Sequence, residues 1–308
     1  MKKSITLRHF FIFIRVCEEN NMTRAAKRLH MTQPSVSQAI QEIETRYDTK
    51  LFERLNKHLY ITSAGKCLLQ YAYQIFSLTK QIDTSMTSFQ KTNPLRIGAS
   101  VTIGELCLIE YIHYLKQTHH IKIVSEIHNT TELEGMLLSD KLDFALVEGN
   151  IHSEYLLAQP FMSDELVVAL PLTHPLLTKQ HIDLIDLQDI SLFLREEGSG
   201  TRDMFIHLMK EQHVAFSIDG SYNNTESLKK AVIAGLGGTI LSYHLVEKEV
   251  RAGLLGICYV KNNIFKRNFK ITYHKNKFLF PELKKAFSLC YDYTKWFPSP
   301  HINSLPTH

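Results

Sequence analysis

Gln33, Ser35, Gln38 and Gln41 lie close together in one stretch of the chain, and each side chain can both donate and accept hydrogen bonds. On one face of a helix they suit the edges of base pairs in a DNA major groove, where amides and hydroxyls read donors and acceptors. Thr32 stands at the head of that stretch, and Ser37, Arg54 and Lys57 are suited to phosphate contacts beside it. A second set of residues is suited to holding a small anion. Ser100, Thr102, Asn129, Thr130, Thr131, Glu148, Gly198, Ser199, Gly200, Thr201 and Thr225 recur at the ends of apolar runs. Glycines let a backbone approach a ligand, and hydroxyls beside helix N-terminal N–H groups receive negative charge. For catalysis the chain offers little. It has 16 histidines but no H-E-x-x-H, G-x-S-x-G, P-loop or metal-ligand cluster, and the GSGTR run lacks the Lys-Ser/Thr ending of a nucleotide cradle.

The elements that must carry the first set are legible from capping and periodicity. Thr23 is expected to cap a short helix with Ala25, Ala26 and Leu29 on its inner face. Thr32 caps the next helix, with Pro34 in the first turn, where its missing N–H costs nothing. Val36, Ala39, Ile40, Ile43 and Tyr47 form the buried stripe of this second helix. An ordinary helical hairpin with a solvated polar face would show the same pattern. Leu7, Phe10, Phe11 and Ile14 mark a preceding helix to cover the hairpin, and alternation through Lys57, Leu59 and Ile61 predicts a two-stranded wing. Thr62 or Ser63 then starts a long helix to about residue 90. Leu68, Ala72, Ile75, Thr79, Ile82, Met86 and Phe89 run along it at spacings of four and three, a coiled-coil seam that predicts dimerisation. Lys91-Thr92-Asn93-Pro94 is read as a hinge.

Charge agrees with a polyanion-binding head. Residues 1–90 hold 13 Lys and Arg against 7 Asp and Glu, and the remainder holds 22 against 24. The start, MKKSITLRHF, lacks the apolar core of a signal peptide, and no apolar run reaches membrane-spanning length. Five scattered cysteines, none at C-x-x-C spacing, point to reduced thiols in the cytoplasm and not to a disulfide or zinc framework.

Phe10, Ala25-Ala26, Leu29, the run Gln33 to Ser37, Ile40, Leu51-Phe52-Glu53-Arg54, Thr62 and Ala64-Gly65 together resemble the N-terminal domain of LysR-type transcriptional regulators. Asp48 departs from the usual Gly after the recognition helix, and Lys57 stands where Arg is commoner. Beyond the hinge, strands and helices alternate. Strands are expected at 95–100, 121–129, 142–149, 166–172, 190–196, 239–243, 254–260 and 266–274. Helices are expected at about 104–118, 131–140, 201–212, 225–236 and 281–296. That alternation implies parallel sheets wound by helices. The strings LRIGAS, LDFALVEG, REEGSGTR and AGLGGTILS resemble the family's effector domain, and GSGTR resembles its CysL- and CbbR-like branch of sulfur-assimilation and carbon-fixation regulators.

The fold class expected is α/β: an N-terminal winged helix-turn-helix with a long linker helix, then a two-lobed, periplasmic-binding-protein-like (type 2) effector domain. Its boundaries are 1–62 for the DNA-binding domain, 63–91 for the dimerising linker and 92–308 for the effector domain. Lobe I takes about 92–164 and 267–300, and lobe II about 165–266. The resemblance implies a transcription regulator that is not an enzyme, binds double-stranded DNA and forms a homodimer or a dimer of dimers, with RNA polymerase as a further partner. The effector expected between the lobes is a small anionic metabolite, with no cofactor. Two alternatives stay open: a ligand-independent or thiol-redox-controlled regulator, using Cys107, Cys258 or Cys290, and a small-molecule-binding protein with non-specific DNA affinity.

Overall fold

The structure, a computed structural model, describes residues 4–55, 58–87, 94–179 and 181–297. The chain forms two compact units, an N-terminal and a C-terminal one.

The N-terminal unit begins with α1 (Leu7–Glu19), α2 (Met22–Arg28) and α3 (Gln33–Tyr47). Asn21, not Thr23, caps α2, because its amide oxygen accepts from both Thr23 N (2.9 Å) and Arg24 N (3.0 Å). Thr32 caps α3 as expected, accepting from Ser35 N. Asp48 ends α3 in the left-handed region at φ 49°, which explains why glycine suits this position. An Asp there accepts a modest backbone cost, since its short polar side chain tolerates the conformation. The strands β1 (Phe52–Leu55) and β2 (His58–Ile61) pair antiparallel as the wing. Phe13, Val16, Ala25, Val36, Ile40, Ile43 and Leu51 are buried together, with the Phe13 and Phe52 rings 5.5 Å apart.

Thr62 Oγ1 accepts from Gly65 N at 3.0 Å and starts α4 (Ser63–Thr87). Here the expected seam needs correction. Ala72 is wholly buried in the head's own core and Leu68 packs against that core, as do Leu69, Tyr73 and Phe76. The ring of Phe76 lies 5.7 Å from that of Phe11 on α1. The 4-3 spacing was therefore shared between two stripes, and the one that includes Leu68 and Ala72 is occupied at home. Among the described side chains of α4, the large apolar ones left exposed are Tyr71, Leu78 and Ile82, the last 60% exposed, with Ile75 half-buried beside them. Phe89 lies outside the described residues, and of Met86 only the backbone is described.

The C-terminal unit opens with β3 (Leu95–Ala99), α5 (Val101–Leu106), α6 (Leu108–His119), β4 (Ile123–Ile127), α7 (Thr130–Leu138) and β5 (Phe144–Val147). A single helix was expected over 104–118, but the backbone breaks at Cys107 (φ −151°). Next comes β6 (Leu156–Leu170), far longer than the expected 166–172, followed by β7 (His181–Ile182), β8 (Ser191–Arg195) and α8 (Gly200–Glu211). The chain continues through β9 (Ser217–Tyr222), α9 (Thr225–Ile233), β10 (Thr239–Ser242), α10 (Tyr243–Arg251), β11 (Gly256–Val260), β12 (Lys266–His274) and α11 (Pro281–Tyr291). Neither β9 nor α10 was expected.

The strand β3 runs parallel to β4 and β5, but β12 pairs antiparallel with both β5 and β6. The sheet is thus mixed rather than parallel, because β6 and β12 pass between two lobes. Leu95, Ile97, Phe144, Phe269 and Phe287 belong to the lobe I core, and two clusters fill lobe II on the faces of β6, β8 and β10. The β6–β12 ladder runs from Leu156↔His274 to Glu165↔Lys266. Its register skips Phe161, since Phe269 pairs Met162 and Lys270 pairs Pro160. This bulge lies just on the lobe I side of the crossing. No helix among the described residues is long and apolar enough to cross a membrane.

Candidate DNA interface and effector site

On α3 the buried residues Val36, Ala39, Ile40 and Ile43 turn one face inward and leave Ser35, Gln38 and Gln41 exposed. Gln33 and Ser37 are half-buried on its flank. Thr32 and Ser35 share a hydroxyl hydrogen bond of 2.8 Å, so both help to hold the start of the helix as well as standing at it. Arg54 lies on the wing strand β1, where only its backbone is described, and Lys57 lies outside the described residues.

In the C-terminal unit, β3, β5 and the loop after β4 end where α5, α7, α8 and α9 begin. This geometry brings most of the second set together: Ser100, Thr102, Thr130, Glu148, Ser199, Gly200, Thr201 and Thr225 are buried, Asn129 and Gly198 half-buried, and Thr131 exposed. Ser100 Oγ donates to Glu148 and Thr102 also bonds that carboxylate. Burial pushes the Glu148 carboxyl above the usual range, against the pull of Arg267 and Arg195. Gly149 and Gly200 are so close that a Cβ added to Gly149 would lie 2.9 Å from Gly200 Cα and 2.7 Å from Thr130 Oγ1. The lobes touch here backbone to backbone, and a side chain at either position would hold them apart. Gly198 (φ +83°) receives Thr131 N on its carbonyl at 3.2 Å, a second link between lobes. Asn129 is a cap, its Oδ1 accepting from Glu132 N at 2.9 Å. Thr225 N donates to Glu105 Oε1 at 3.4 Å, a third link.

Several polar groups that the sequence reading passed over complete the site. Arg267 on β12 donates through Nε to Asp164 Oδ2 (2.7 Å) and through Nη1 to Thr201 Oγ1 (2.9 Å). Ser242 Oγ donates to the other Asp164 oxygen at 2.6 Å. Lys270 Nζ donates to Gly149 O at 3.3 Å, and burial, reinforced by Arg267, lowers its pKa. Among the buried side-chain atoms without a hydrogen-bond partner, four belong to this site: Arg267 Nη2, Thr130 Oγ1, Ser199 Oγ and Thr225 Oγ1. Arg202 is committed elsewhere, donating to Arg195 O and Ser221 Oγ, both at 3.0 Å. Arg267 lay hidden because an arginine within KRNFKITYH reads as the polar phase of an alternating strand. Its acidic partner is 103 residues away.

Of the cysteines, Cys107, Cys258 and Cys290 are buried, and burial raises the pKa of each thiol. That disfavours the thiolate a redox sensor needs. Among the described residues no group of three or more His, Cys, Asp and Glu could hold a metal ion.

Comparison with known families decides the identity of this two-part chain. Residues 7–66 match the bacterial regulatory helix-turn-helix protein, lysR family, and residues 90–294 match the LysR substrate binding domain. The chain belongs to the LysR family of transcriptional regulators. It is similar to the HTH-type transcriptional regulator CysL of Bacillus subtilis, 31% identical over 89% of this chain and 95% of that protein. It is also similar to the RuBisCO operon transcriptional regulator of Allochromatium vinosum, 29% identical over 90% of this chain and 92% of the other. The CysL- and CbbR-like resemblance of the GSGTR loop agrees with both. Among solved structures, the regulatory domain of Synechocystis PCC6803 CcmR in complex with 2-PG has the same fold. Its TM-score is 0.61 at 23% identity, over 66% of this chain and 98% of that one. As a LysR-family member, the protein is a DNA-binding transcription regulator with an effector-binding domain, and not an enzyme. LysR regulators are typically oligomeric.

Proposed function

We propose that this LysR-family regulator is switched by a small anionic metabolite held between the lobes of its C-terminal unit. Four buried polar atoms without partners carry this reading. Arg267 Nη2 and the hydroxyls of Thr130, Ser199 and Thr225 sit where α7, α8 and α9 begin. A buried donor with no acceptor costs about 1–3 kcal/mol, and an anion in this place would repay several such costs at once. Helix N-terminal N–H groups add to the attraction. Ser100, Thr102 and Glu148 then form the wall on the lobe I side, and Gly198, Ser199, Gly200 and Thr201 the wall on lobe II. The effector biases one lobe arrangement only by the difference between its affinities for the two.

Residues 1–62 bind DNA in this reading. Gln33, Ser35, Gln38 and Gln41 are the base-edge candidates, and Thr32, Ser37, Arg54 and Lys57 contact or support the backbone. Residues 63–91 dimerise the chain through Tyr71, Ile75, Leu78 and Ile82, which keep a heptad spacing on the exposed side of α4. Residues 92–308 hold the effector. A homotetramer, contact with RNA polymerase and a cytoplasmic location complete the proposal.

The test is a thermal melt of the purified protein with 2-PG, inorganic phosphate, sulfate and small dicarboxylates, followed by footprinting on genomic DNA selected by the protein. A Tm rise that saturates with one anion, and a change of footprint with the same anion, support the reading. No Tm shift with any of them rejects an anionic effector at this site.

A further inference from the structure

Gln38 stands on the exposed side of α3, yet its amide is held in one orientation. Nε2 donates to Glu42 Oε1, one turn further along the helix, at 3.0 Å. The other oxygen of Glu42 lies 3.0 Å from His9 Nε2 on α1, a half-buried contact between two helices. His9 Nδ1 accepts from Thr6 N at 3.2 Å and lies 2.8 Å from Thr6 Oγ1. A backbone N–H can only donate, so Nδ1 is the accepting nitrogen and the ring proton sits on Nε2, pointing at Glu42. The chain of contacts therefore has a direction. Thr6 sets the tautomer of His9, His9 holds the carboxylate of Glu42, and Glu42 takes one N–H of Gln38.

An ionised carboxylate only accepts, so the NH2 end of Gln38 must face it. A turned amide would set its oxygen against that carboxylate, which repels it. What reaches outward is the oxygen of Gln38 with its second N–H beside it. An acceptor next to a donor is the pairing that the N6 amino group and N7 of adenine take in the major groove.

We infer that Glu42 and His9 are positioning residues that fix the amide of Gln38 for reading an adenine. The inference rests on the assignment of Gln38 to base readout. An i,i+4 pair that merely stabilised α3 would leave base preference unchanged and lower binding to all sequences alike.

Full-length protein is put through selection from a randomised duplex library, with the wild type, Gln38→Ala, Glu42→Gln and His9→Ala compared at one salt concentration. Gln38→Ala is expected to erase an adenine preference at one two-fold-related position. Glu42→Gln, whose amide donates or accepts equally well, should cut the preference at that same position about three- to tenfold. His9→Ala should act at the same position more weakly, and affinity for non-specific duplex should stay within about twofold throughout. If Glu42→Gln lowers the Tm, His9→Ala carries the comparison, because it leaves the helical pair in place. Full retention of the preference in both variants, or equal loss at every position, overturns the relay while leaving base readout by Gln38 standing. No change with Gln38→Ala instead removes the base-readout assignment, and the relay with it.

Discussion

Arg267 and Asp164 face each other across the two strands that join the lobes, Nε to Oδ2 at 2.7 Å, and both side chains are almost wholly buried. Such a pair is held together by what surrounds it. Ser242 takes the second oxygen of Asp164 and Thr201 the Nη1 of Arg267. Breaking a buried pair from one side leaves a charge uncompensated and costs about 3–5 kcal/mol. Asp164→Asn is therefore expected to lower the unfolding free energy, read from urea denaturation, by that amount. Arg267→Met leaves the buried Asp164 carboxylate unpaired, so it should cost a similar amount, and it should also abolish any Tm rise produced by an anion. A retained anion response in Arg267→Met would remove Nη2 from the site.

Gly200→Ala tests the backbone contact between the lobes. Its Cβ would run into the backbone of Gly149, which no side-chain rotation can relieve. We expect a loss of about 1–3 kcal/mol, the range for overpacking, with a larger radius of gyration in X-ray scattering. Unchanged scattering would mean that the lobes do not depend on this approach.

Glu148 offers a signature in pH. Its carboxyl titrates above the usual range because it is buried, so the folded state keeps the proton longer than the unfolded state does. Its contribution to stability is full at low pH and falls once the pH rises above the unfolded value of about 4.3. Glu148→Gln cannot ionise. Its Tm relative to wild type should climb as the pH rises above about 4. A constant offset across that range would show that the Glu148 carboxyl titrates alike in the folded and unfolded states.

Asp143 has the opposite sign. Burial alone would raise its pKa, but Arg96 and Lys277 outweigh that and hold it below the usual range. Its Oδ1 lies 2.7 Å from Arg96 Nη2 and 2.8 Å from Lys277 Nζ, and the Lys277 side chain is buried. The stability it contributes is present above the unfolded carboxylate pKa and is lost as pH falls through the folded value. Asp143→Asn should cost about 3–5 kcal/mol at neutral pH, read from urea unfolding, with the deficit narrowing in acid.

The exposed stripe of α4 predicts association. Ile82→Glu should shift the protein toward monomer in sedimentation velocity while leaving the melting of the head unaltered, because Ile82 lies outside the head's core. A dimer undisturbed by this change would place the interface elsewhere.

The parts legible in the sequence were those governed by near neighbours. Thr32 and Pro34 announce α3 because capping and a prearranged φ act within one turn. The hydroxyls that cluster between the lobes could be located because strand ends and helix starts sit side by side in the chain. Longer-range choices were not visible. Nothing local tells whether Ala72 faces its own domain or a partner, since both need a small apolar residue. The SIDGSY run of β9 lacks the alternation that betrays a strand, because all of its residues but Gly220 are exposed. Arg267 acquires its meaning only through Asp164 and Thr201, which reach it from other elements.

The skipped residue at Phe161 bears on how the lobes can move. A ladder of paired strands resists bending wherever its hydrogen bonds are regular, and yields where a residue drops out of step. On β6 that fault coincides with Pro160, which has no N–H to give to the ladder. Mechanical compliance is thereby concentrated at one joint beside the lobe crossing, next to Lys270, whose ammonium reaches Gly149. Rotation of one lobe against the other would pivot there, as a door turns on a single pin rather than along its whole edge. A molecule wedged at Gly149 would act on the short arm of that lever.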